Sequence, residues 1–238
     1  TLPLVYHTNL NVERIIMLNS LIFDFLKDKG ACDIGFCKLK SPFKNLDYAI
    51  SFCIRLSDAV VDEIGSSPTY TYFHHYRTVN SFIDRLGLET VILLQDMGYN
   101  AVANPASQSH GDKDYAGLFS HKTAAVKSGL GSIGKSGLFI SKKYGPRVRL
   151  GTVFTDAPLE VSDFSYEDVC GGCDLCVKAC PAGAITGKTF YLGIDRREIF
   201  DPQKCSDYMK KHFHHIGRGA VCGICMRVCP KGQRQPKI

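Results

Sequence analysis

Eight cysteines lie close together in the last third of the sequence. The stretch "CGGCDLCVKACP" places Cys170, Cys173, Cys176 and Cys180 in the spacing C-x2-C-x2-C-x3-C-P. In the bacterial ferredoxin form of this run, three thiolates hold one [4Fe–4S] cubane and the fourth cysteine ligates a second cluster. The two-residue gaps let a tight loop wrap three corners of a cube, whereas the longer gap and Pro181 send the fourth thiolate outward.

The remaining late cysteines supply the rest of a second cluster. The stretch "CGICMRVCP" contains three of them, and Cys205 in "DPQKCSDYMK" is the only other cysteine in this part of the sequence. Two cubanes need eight thiolates. We therefore predict cluster one on Cys170, Cys173, Cys176 and Cys229, and cluster two on Cys222, Cys225, Cys180 and Cys205.

Zinc is the alternative metal, because it also binds C-x2-C pairs. Two zinc ribbons would need neither the trailing C-P nor a fourth ligand that crosses to another site. The spacing therefore favours two iron–sulfur clusters over zinc.

Three further cysteines lie early in the chain. Cys32, Cys37 and Cys53 are in "GACDIGFCKL" and "AISFCIRL", which we predict to be buried strands. Free cysteines commonly pack as small buried hydrophobes. We interpret all three as core residues.

The stretch "GLGSIGKS", residues 129–136, matches two nucleotide-binding motifs. Both the dinucleotide motif and the phosphate-binding loop need a strand before the glycines and a helix after them. The helix N-terminus receives the phosphate. Here "YAGLFSHKTAAVKSG" predicts a helix before the glycines, and "GLFISKKYGPRVRLGTVF" predicts two paired strands after them, joined at residues 144–146.

This order of elements argues against both nucleotide motifs. Without a nucleotide to bind, the glycines would let the backbone approach another group of the molecule or a cofactor closely. Either another strand or a flat cofactor beside the clusters would be such a partner.

The rest of the chain has the composition of an ordinary folded protein. It has 238 residues, of which 45% are hydrophobic and 22% charged, enough for one core plus a small appended domain. The stretch "NVERIIMLNSLIFDFLKDKG" predicts an amphipathic helix ending at Gly30 rather than a signal peptide. We see no stretch long and apolar enough to span a bilayer and expect a cytoplasmic protein.

The formal net charge is +6, and the last 43 residues hold ten Lys or Arg against three Asp or Glu. A basic segment of this kind can bind nucleic acid. However, eight thiolates carry more negative charge than two cubane cores carry positive charge. We therefore favour compensation of the clusters over RNA binding.

Several stretches together resemble a known family. The segments "HKTAAVKSGLGSIGKSGLFISKKYGPRVRLGTVFTDAP", "VCGGCDLCVKACPAGAI" and "CGICMRVCP" are similar to the epoxyqueuosine reductase family and, more distantly, to the catalytic core of reductive dehalogenases. The upstream stretch "YTYFHHYRTVNSFIDRL" resembles that family's tyrosine-containing helix, with Tyr70, Tyr76 and Val79 matching best. The resemblance covers most of the chain from about residue 30.

The resemblance implies an α+β fold in two parts. A nitroreductase-like, cobalamin-binding domain would occupy residues 1–160 and a two-cluster ferredoxin-like domain residues 161–238, with the boundary in residues 157–168. The family holds cobalamin base-off, and this sequence has no D-x-H-x-x-G histidine motif. The implied cobalamin contacts are Gly129, Leu130, Gly131, Ser132, Gly134, Lys135, Arg147, Arg149, Leu150, Gly151, Thr152, Ser206, Tyr208 and Val221.

A reductase also needs a proton donor within hydrogen-bond reach of its substrate. The family's general-acid aspartate lies shortly before the glycine segment, where this sequence has Asp114 and Tyr115. We take Asp114, Tyr115 and Tyr76 as the candidate catalytic residues. His110 and His121 are further candidates for the same role.

The leading interpretation is a cobalamin-dependent reductase that receives single electrons through two clusters and acts on a small molecule. A low-potential ferredoxin or flavodoxin would be its electron donor. Full-length epoxyqueuosine reductases have a helical-repeat region that helps hold tRNA, whereas this sequence ends nine residues after Cys229. We therefore do not expect tRNA as a substrate. An electron-transfer protein that reduces a corrinoid partner and an iron–sulfur flavoprotein remain the alternatives.

Overall fold

The computed structural model describes residues 4–107, 115–162, 164 and 166–233, with side chains from residue 12 onward. Six strands and eight α-helices are found in this part of the chain. None of these helices combines the length and the apolar character needed to cross a bilayer. In chain order the elements are α1 (Leu4–Asp28), β1 (Asp33–Lys38), β2 (Tyr48–Arg55), α2 (Asp58–Asp62), α3 (Tyr70–Asp96), β3 (Ala101–Asn104), α4 (His121–Lys127), β4 (Gly131–Ile133), β5 (Phe139–Ser141), β6 (Val148–Thr155), α5 (Leu175–Ala179), α6 (Arg196–Ile199), α7 (Pro202–His212) and α8 (Ile224–Arg227), with short 3₁₀ turns at Gly217–Gly219 and Pro230–Gly232.

A four-stranded antiparallel sheet in the order β1-β2-β6-β3 forms the centre of the fold. Side chains alternate between its two faces. Ile50 and Phe52 of β2 pack with α1 and α3 in the largest hydrophobic cluster. Ala49, their neighbour on β2, packs with Ala124 of α4 on the other face. Helices therefore cover both faces of the sheet.

The long helices begin and end where the sequence provides caps. Thr69 precedes α3, and its hydroxyl accepts the N–H of Tyr72 at 3.0 Å. Gly98 follows α3 and Gly30 follows α1, each with a positive φ that a glycine adopts without strain. The predicted helix ending at Gly30 is confirmed, as is the helix at the "YTYFHHYRTVNSFIDRL" stretch.

The predicted pairing of the two strands after the glycine segment is wrong. β5 pairs with β4, which lies within the glycine segment itself, and β6 runs in the central sheet between β2 and β3. Gly131 permits the first pairing, because a Cβ there would collide with the carbonyl oxygen of Ile140. β6 has eight residues, six of them buried, and a strand of this kind suits the middle of a sheet.

Two other predictions about the elements need correction. The helix predicted over "YAGLFSHKTAAVKSG" is formed only over His121–Lys127, so residues 115–120 precede it in extended and turn conformation. β3 was missed, because its four residues are mostly half-buried and give no clear alternation of apolar and polar side chains. The rejection of the nucleotide motifs is confirmed: a strand, not a helix, follows the glycine segment.

The region that contains the late cysteines shares its core with the sheet domain. Phe213, Ile216, Val221, Ile224 and Met226 belong to the same hydrophobic cluster as α1 and α3. Helix α7 begins with its own cap, since Asp201 accepts the N–H of Lys204 at 3.0 Å. The shared cluster fixes the cysteine-rich region against the sheet domain.

The early cysteines lie largely where the sequence predicts. Cys37 is in β1 and Cys53 in β2, and both are buried. Cys32 precedes β1 and is half-buried. Burial raises the pKa of all three thiols, to about 11 for Cys32. Thiols with raised pKa values are poor nucleophiles, which fits core residues.

Candidate functional site

Among the described residues no three His, Cys, Asp or Glu side chains are already arranged as metal ligands, but the late thiols that raise one another's pKa fall largely into two groups. Burial and the neighbouring Cys170, Cys229 and Cys173 raise the pKa of the Cys176 thiol to about 11. The thiol of Cys229 interacts in turn with those of Cys170 and Cys173. This group has the membership of the predicted cluster one.

The second group has the membership of the predicted cluster two. Burial, then Cys222 and Cys180, raise the pKa of the Cys205 thiol to about 12. Burial and the same group of thiols also raise the pKa of Cys225. Neighbouring half-buried thiols oppose one another's ionisation, and the iron of a cubane would supply the positive charge that offsets this.

The glycine segment contacts the loop of cluster one. The Lys135 N–H lies 3.4 Å from the Cys170 Sγ. The Lys135 ammonium donates to the carbonyl oxygens of Gly171 at 2.6 Å and Cys173 at 3.3 Å. A Cβ on Gly134 would lie 3.2 Å from the same Cys170 sulfur. This end of the segment therefore supports cluster one.

A cavity of about 740 Å³ opens beside the sheet. β3 pairs with β6 only from Thr152 onward, so the first residues of β6 are left uncovered on that edge. The cavity lies there, between β6, α4, the end of the glycine segment and residues 190–196. Its volume is typical of a site for a small molecule or cofactor.

Tyr76 and Arg149 form a polar pair on one wall of the cavity. The guanidinium of Arg149 lies over the Tyr76 ring at 4.4 Å, and its Nη2 donates to the phenol oxygen at 3.3 Å. The same oxygen lies 3.0 Å from Ser107 Oγ. Burial raises the pKa of Tyr76, but the charge of Arg149 and the hydrogen bonds outweigh it, so the pKa lies below its ordinary value.

Tyr115 also lines the cavity and connects it to helix α7. Lys210 Nζ donates to the Tyr115 phenol oxygen at 3.2 Å. The backbone carbonyl of Tyr115 accepts from Arg196 at 3.3 Å. Hydrogen bonds from Ser206 and Lys210 lower the pKa of this exposed phenol. Ser206 follows Cys205 in the sequence, so Tyr115 connects the cavity to the helix that contains this cysteine.

His121 is held by hydrogen bonds at both ring nitrogens. Its Nδ1 lies 2.8 Å from Thr152 Oγ1, and its Nε2 lies 2.9 Å from the carbonyl oxygen of Pro105. Asn104 Nδ2 also lies 3.0 Å from Nε2, so this nitrogen faces both a carbonyl acceptor and an amide donor. Burial lowers the pKa of His121, which favours the neutral ring. Asp114 and His110 lie outside the described residues.

The other predicted cofactor contacts are spread over several places. Arg149 and Leu150 line the cavity, whereas no residue of 129–132 does. Arg147 is buried in ion pairs with Asp58 and Asp62. The remainder serve packing or local bonding: Gly129 in the turn after α4, Leu130 in a core cluster, Gly131 against β5, Ser132 bonded to Glu167, Gly151 against Phe52, Thr152 with His121, Tyr208 stacked on His212, and Val221 in the main core.

Other cavity residues were not predicted from the sequence. Lys122, Leu138, Phe139, Arg196 and Met226 all contribute to its lining. Met226 follows Cys225 directly, and Lys122 follows His121, so proximity to predicted site residues was the available signal. Arg196 carried no such signal, because only the fold brings residues 190–196 to the cavity.

The cysteine-rich region matches a known domain family. Residues 169–232 match the family model of a 4Fe-4S double cluster binding domain. All eight cysteines of the two groups fall within this match. The region is therefore a double [4Fe–4S] cluster binding domain, as predicted, and not a pair of zinc ribbons.

Two kinds of curated enzyme are similar to this chain. The tetrachloroethene reductive dehalogenase of Sulfurospirillum multivorans is 36% identical over 111 residues, which are 44% of this chain and 22% of that enzyme. The epoxyqueuosine reductase of Listeria monocytogenes is 31% identical over 123 residues, or 48% of this chain and 30% of that enzyme. The chain is homologous to both kinds, and it spans less than a third of the length of these two relatives.

Solved structures of both kinds share the fold. A catabolic reductive dehalogenase in complex with 3-bromo-4-hydroxybenzoic acid matches with a TM-score of 0.72 at 19% identity, covering 90% of this chain and 31% of that one. An epoxyqueuosine reductase with a tRNA stem loop matches with a TM-score of 0.59 at 17% identity, covering 92% and 66%. The predicted α+β class is confirmed. Because the second structure holds a tRNA stem loop, the comparisons do not support our expectation that tRNA is excluded.

Proposed function

We propose that this chain is an iron–sulfur, cobalamin-dependent reductase that delivers single electrons through two [4Fe–4S] clusters to a substrate in the cavity beside β6. A nitroreductase-like domain, residues 1–160, would hold the cofactor, and residues 161–238 would hold the clusters. The carrying observation is that Met226, next to Cys225, lines the cavity, so a cluster held by Cys225 would border it.

The lining of the cavity is compatible with a corrin ring bound without a protein ligand to cobalt. Leu138, Phe139, Val148 and Leu150 offer an apolar surface to a flat ring. His121 is the only histidine among the described lining residues, and both of its nitrogens are engaged. When bound, cobalamin would supply a reduced cobalt able to transfer electrons to a substrate.

The predicted positions of the two clusters imply an order of electron transfer. Cluster two, held by the predicted ligands, would lie near the cavity, because Met226 follows Cys225 and lines it. The loop of cluster one is open to solvent at Gly171 and Gly172, where an added Cβ would meet nothing within 4 Å. An external low-potential donor, such as a ferredoxin or flavodoxin, would therefore reduce cluster one first.

Tyr76 is the best-placed proton donor among the described residues. Its phenol faces the cavity, and Arg149 stabilises the phenolate that remains after proton transfer. A pKa moved toward the working pH improves a general acid. Tyr115, with Lys210 as its partner, is the second donor at the same cavity.

An anaerobic titration tests the proposed cofactor. Cob(II)alamin is added to protein that contains both clusters, and absorption and EPR spectra are recorded. We expect saturable binding with a base-off cobalt signal. Absence of any spectral change with two intact clusters would leave an electron-transfer protein, and saturable flavin binding in its place would indicate an iron–sulfur flavoprotein.

A further inference from the structure

The Lys, Arg, Asp and Glu side chains in the described lining of the cavity are all cationic. Lys122, Lys127, Arg149 and Arg196 line it, and none of the described lining residues is Asp or Glu. Asp84, whose charge reaches His121, accepts the N–H of Ala106 and does not line the cavity. Cations grouped in a cleft with low-dielectric walls concentrate anions there.

Arg149 is positioned by neutral partners. Its Nε donates to Asn80 Oδ1 at 2.9 Å, and its Nη2 donates to Tyr76. Within the described chain no carboxylate forms an ion pair with it, unlike Arg147 two residues earlier, which has two. The guanidinium is thus fixed in orientation while its charge stays uncompensated, which is the state of an anion-binding arginine before its ligand arrives.

Lys122 is a second lining cation that forms no ion pair with a described carboxylate. Its ammonium donates to the carbonyl oxygen of Gly137 at 2.7 Å. Burial and then the nearby Arg196 lower its pKa to about 8. A bound anion would offset this shift, because an opposite charge nearby favours the protonated ammonium.

Much of the remaining lining is apolar. Val126, Leu138, Phe139, Phe190 and Met226 surround the charged wall. A ligand complementary to both the cationic wall and the apolar lining has an apolar body and one negatively charged end.

We propose that the cavity selects a substrate carrying an oxyanion, a carboxylate or a phosphate group, which Arg149 binds beside the Tyr76 hydroxyl. This inference rests on the proposed function, since the reduced molecule must share the cavity with cobalamin. Arginine binds such groups through two parallel N–H donors, and charge-assisted hydrogen bonds of this type are short and strong. The anion would place the rest of the substrate beside the proton donor.

Equilibrium dialysis with the cluster-loaded protein tests the inference. The probes are benzoate and phenyl phosphate, with benzamide as the neutral counterpart of benzoate. We expect the anions to bind about tenfold or more tightly than benzamide. The substitution Arg149→Gln should remove most of that difference, Arg149→Lys should retain part of it, and Lys44→Gln, an exposed lysine outside the cavity, should retain all of it. Equal affinity for benzoate and benzamide would overturn the inference.

Lys127→Gln is the second variant, in case Arg149→Gln does not fold. Lys127 is half-buried in the last turn of α4, so its loss removes one lining charge without opening the central sheet. We expect a smaller fall in benzoate affinity and no change for benzamide. An unchanged benzoate affinity in a folded Lys127→Gln protein would count against the cationic lining.

A second arm separates the substrate from the cofactor, whose nucleotide loop contains a phosphodiester. Cobalamin and cobinamide, which lacks that loop, are titrated into the wild type and Arg149→Gln. Loss of cobalamin affinity alone in the variant would assign the charge to the cofactor's phosphate and overturn our inference. If neither corrinoid binds while benzoate is still preferred, the proposed function fails and the anion site remains.

Discussion

At the scale of single residues, the chemistry depends on where charge is left uncompensated. Arg147 immediately precedes β6 and Arg149 lies within it, and the two arginines have different partners. Arg147 is buried between Asp58 and Asp62, whereas Arg149 has only neutral partners, Asn80 and Tyr76. The first is therefore a structural cation and the second is available for chemistry.

Cys205 tests the crossed ligand assignment. The substitution Cys205→Ala should remove one ligand of cluster two and lower the iron content from about eight to about four per chain, with cluster one retained. Iron analysis together with EPR of the dithionite-reduced protein measures this. Cys32→Ala, at a half-buried position before β1, should retain all the iron. Full iron content in the Cys205 variant would disprove the assignment.

Tyr76 should titrate below an ordinary tyrosine. Arg149 lowers the pKa of this phenol, so the neutral, proton-donating form is lost as pH rises through a value below about 10. Arg149→Gln should move that titration to higher pH. NMR of protein labelled at the tyrosine ring carbon, with Tyr76→Phe to identify the signal, measures both values. A signal that titrates identically with and without Arg149 contradicts the proposed pairing.

At the scale of elements, the glycine segment has two roles. Its first half forms β4 and pairs with β5, where Gly131 allows the close approach. Its second half reaches the loop of cluster one through Gly134 and Lys135. A nucleotide-like motif is thus used here to hold an iron–sulfur loop against the sheet domain.

Lys135 should influence cluster one more than cluster two. Its ammonium lies against the carbonyls of Gly171 and Cys173, and a nearby cation favours the reduced, more negative cluster. Lys135→Met should therefore lower the midpoint potential of cluster one. A redox titration followed by EPR measures the potentials of both clusters. Lys44→Met, remote from the cysteines in the β1–β2 connection, is the control, and a shift of equal size there would refute the local effect.

At the scale of the whole molecule, the cluster region and the sheet domain form one hydrophobic core. Residues of α8 and of the segment before it pack with α1 and α3. Gly145 contacts the backbone of Lys231, and Arg227 forms an ion pair with Asp62 at 3.6 Å. This shared packing holds the segment that contains Cys222 and Cys225 against the sheet domain.

Asp58 should be important for this junction. The Asp58 and Arg147 side chains are 9% and 3% exposed, and loss of Asp58 would leave the buried Arg147 charge to the 51% exposed Asp62. We expect Asp58→Ala to lower the free energy of unfolding by about 3 kcal/mol. The surface pair of Asp174 and Lys178 offers the control, since Asp174→Ala should cost less than about 1 kcal/mol. Urea denaturation of both variants measures the difference, and equal losses would contradict the importance of burial.

The sequence by itself determined the parts whose chemistry is local. The spacing of the late cysteines predicted a double-cluster domain, because a loop that wraps a cube permits few spacings. The crossed assignment of their ligands stays a prediction. The apolar periodicity ending at Gly30 predicted α1, and the resemblance to a family helix predicted α3. The resemblance carried by the glycine segment and the cysteine motifs named both kinds of homologous enzyme.

Only the tertiary structure decided which strand pairs with which and what surrounds the cavity. β6 lies in the central sheet rather than beside β5, because burial on both faces of a strand is a property of the folded sheet. Arg196 and Met226 reach the cavity from segments more than forty residues beyond β6. Long-range packing brings these residues together, and no local pattern of residue types records it.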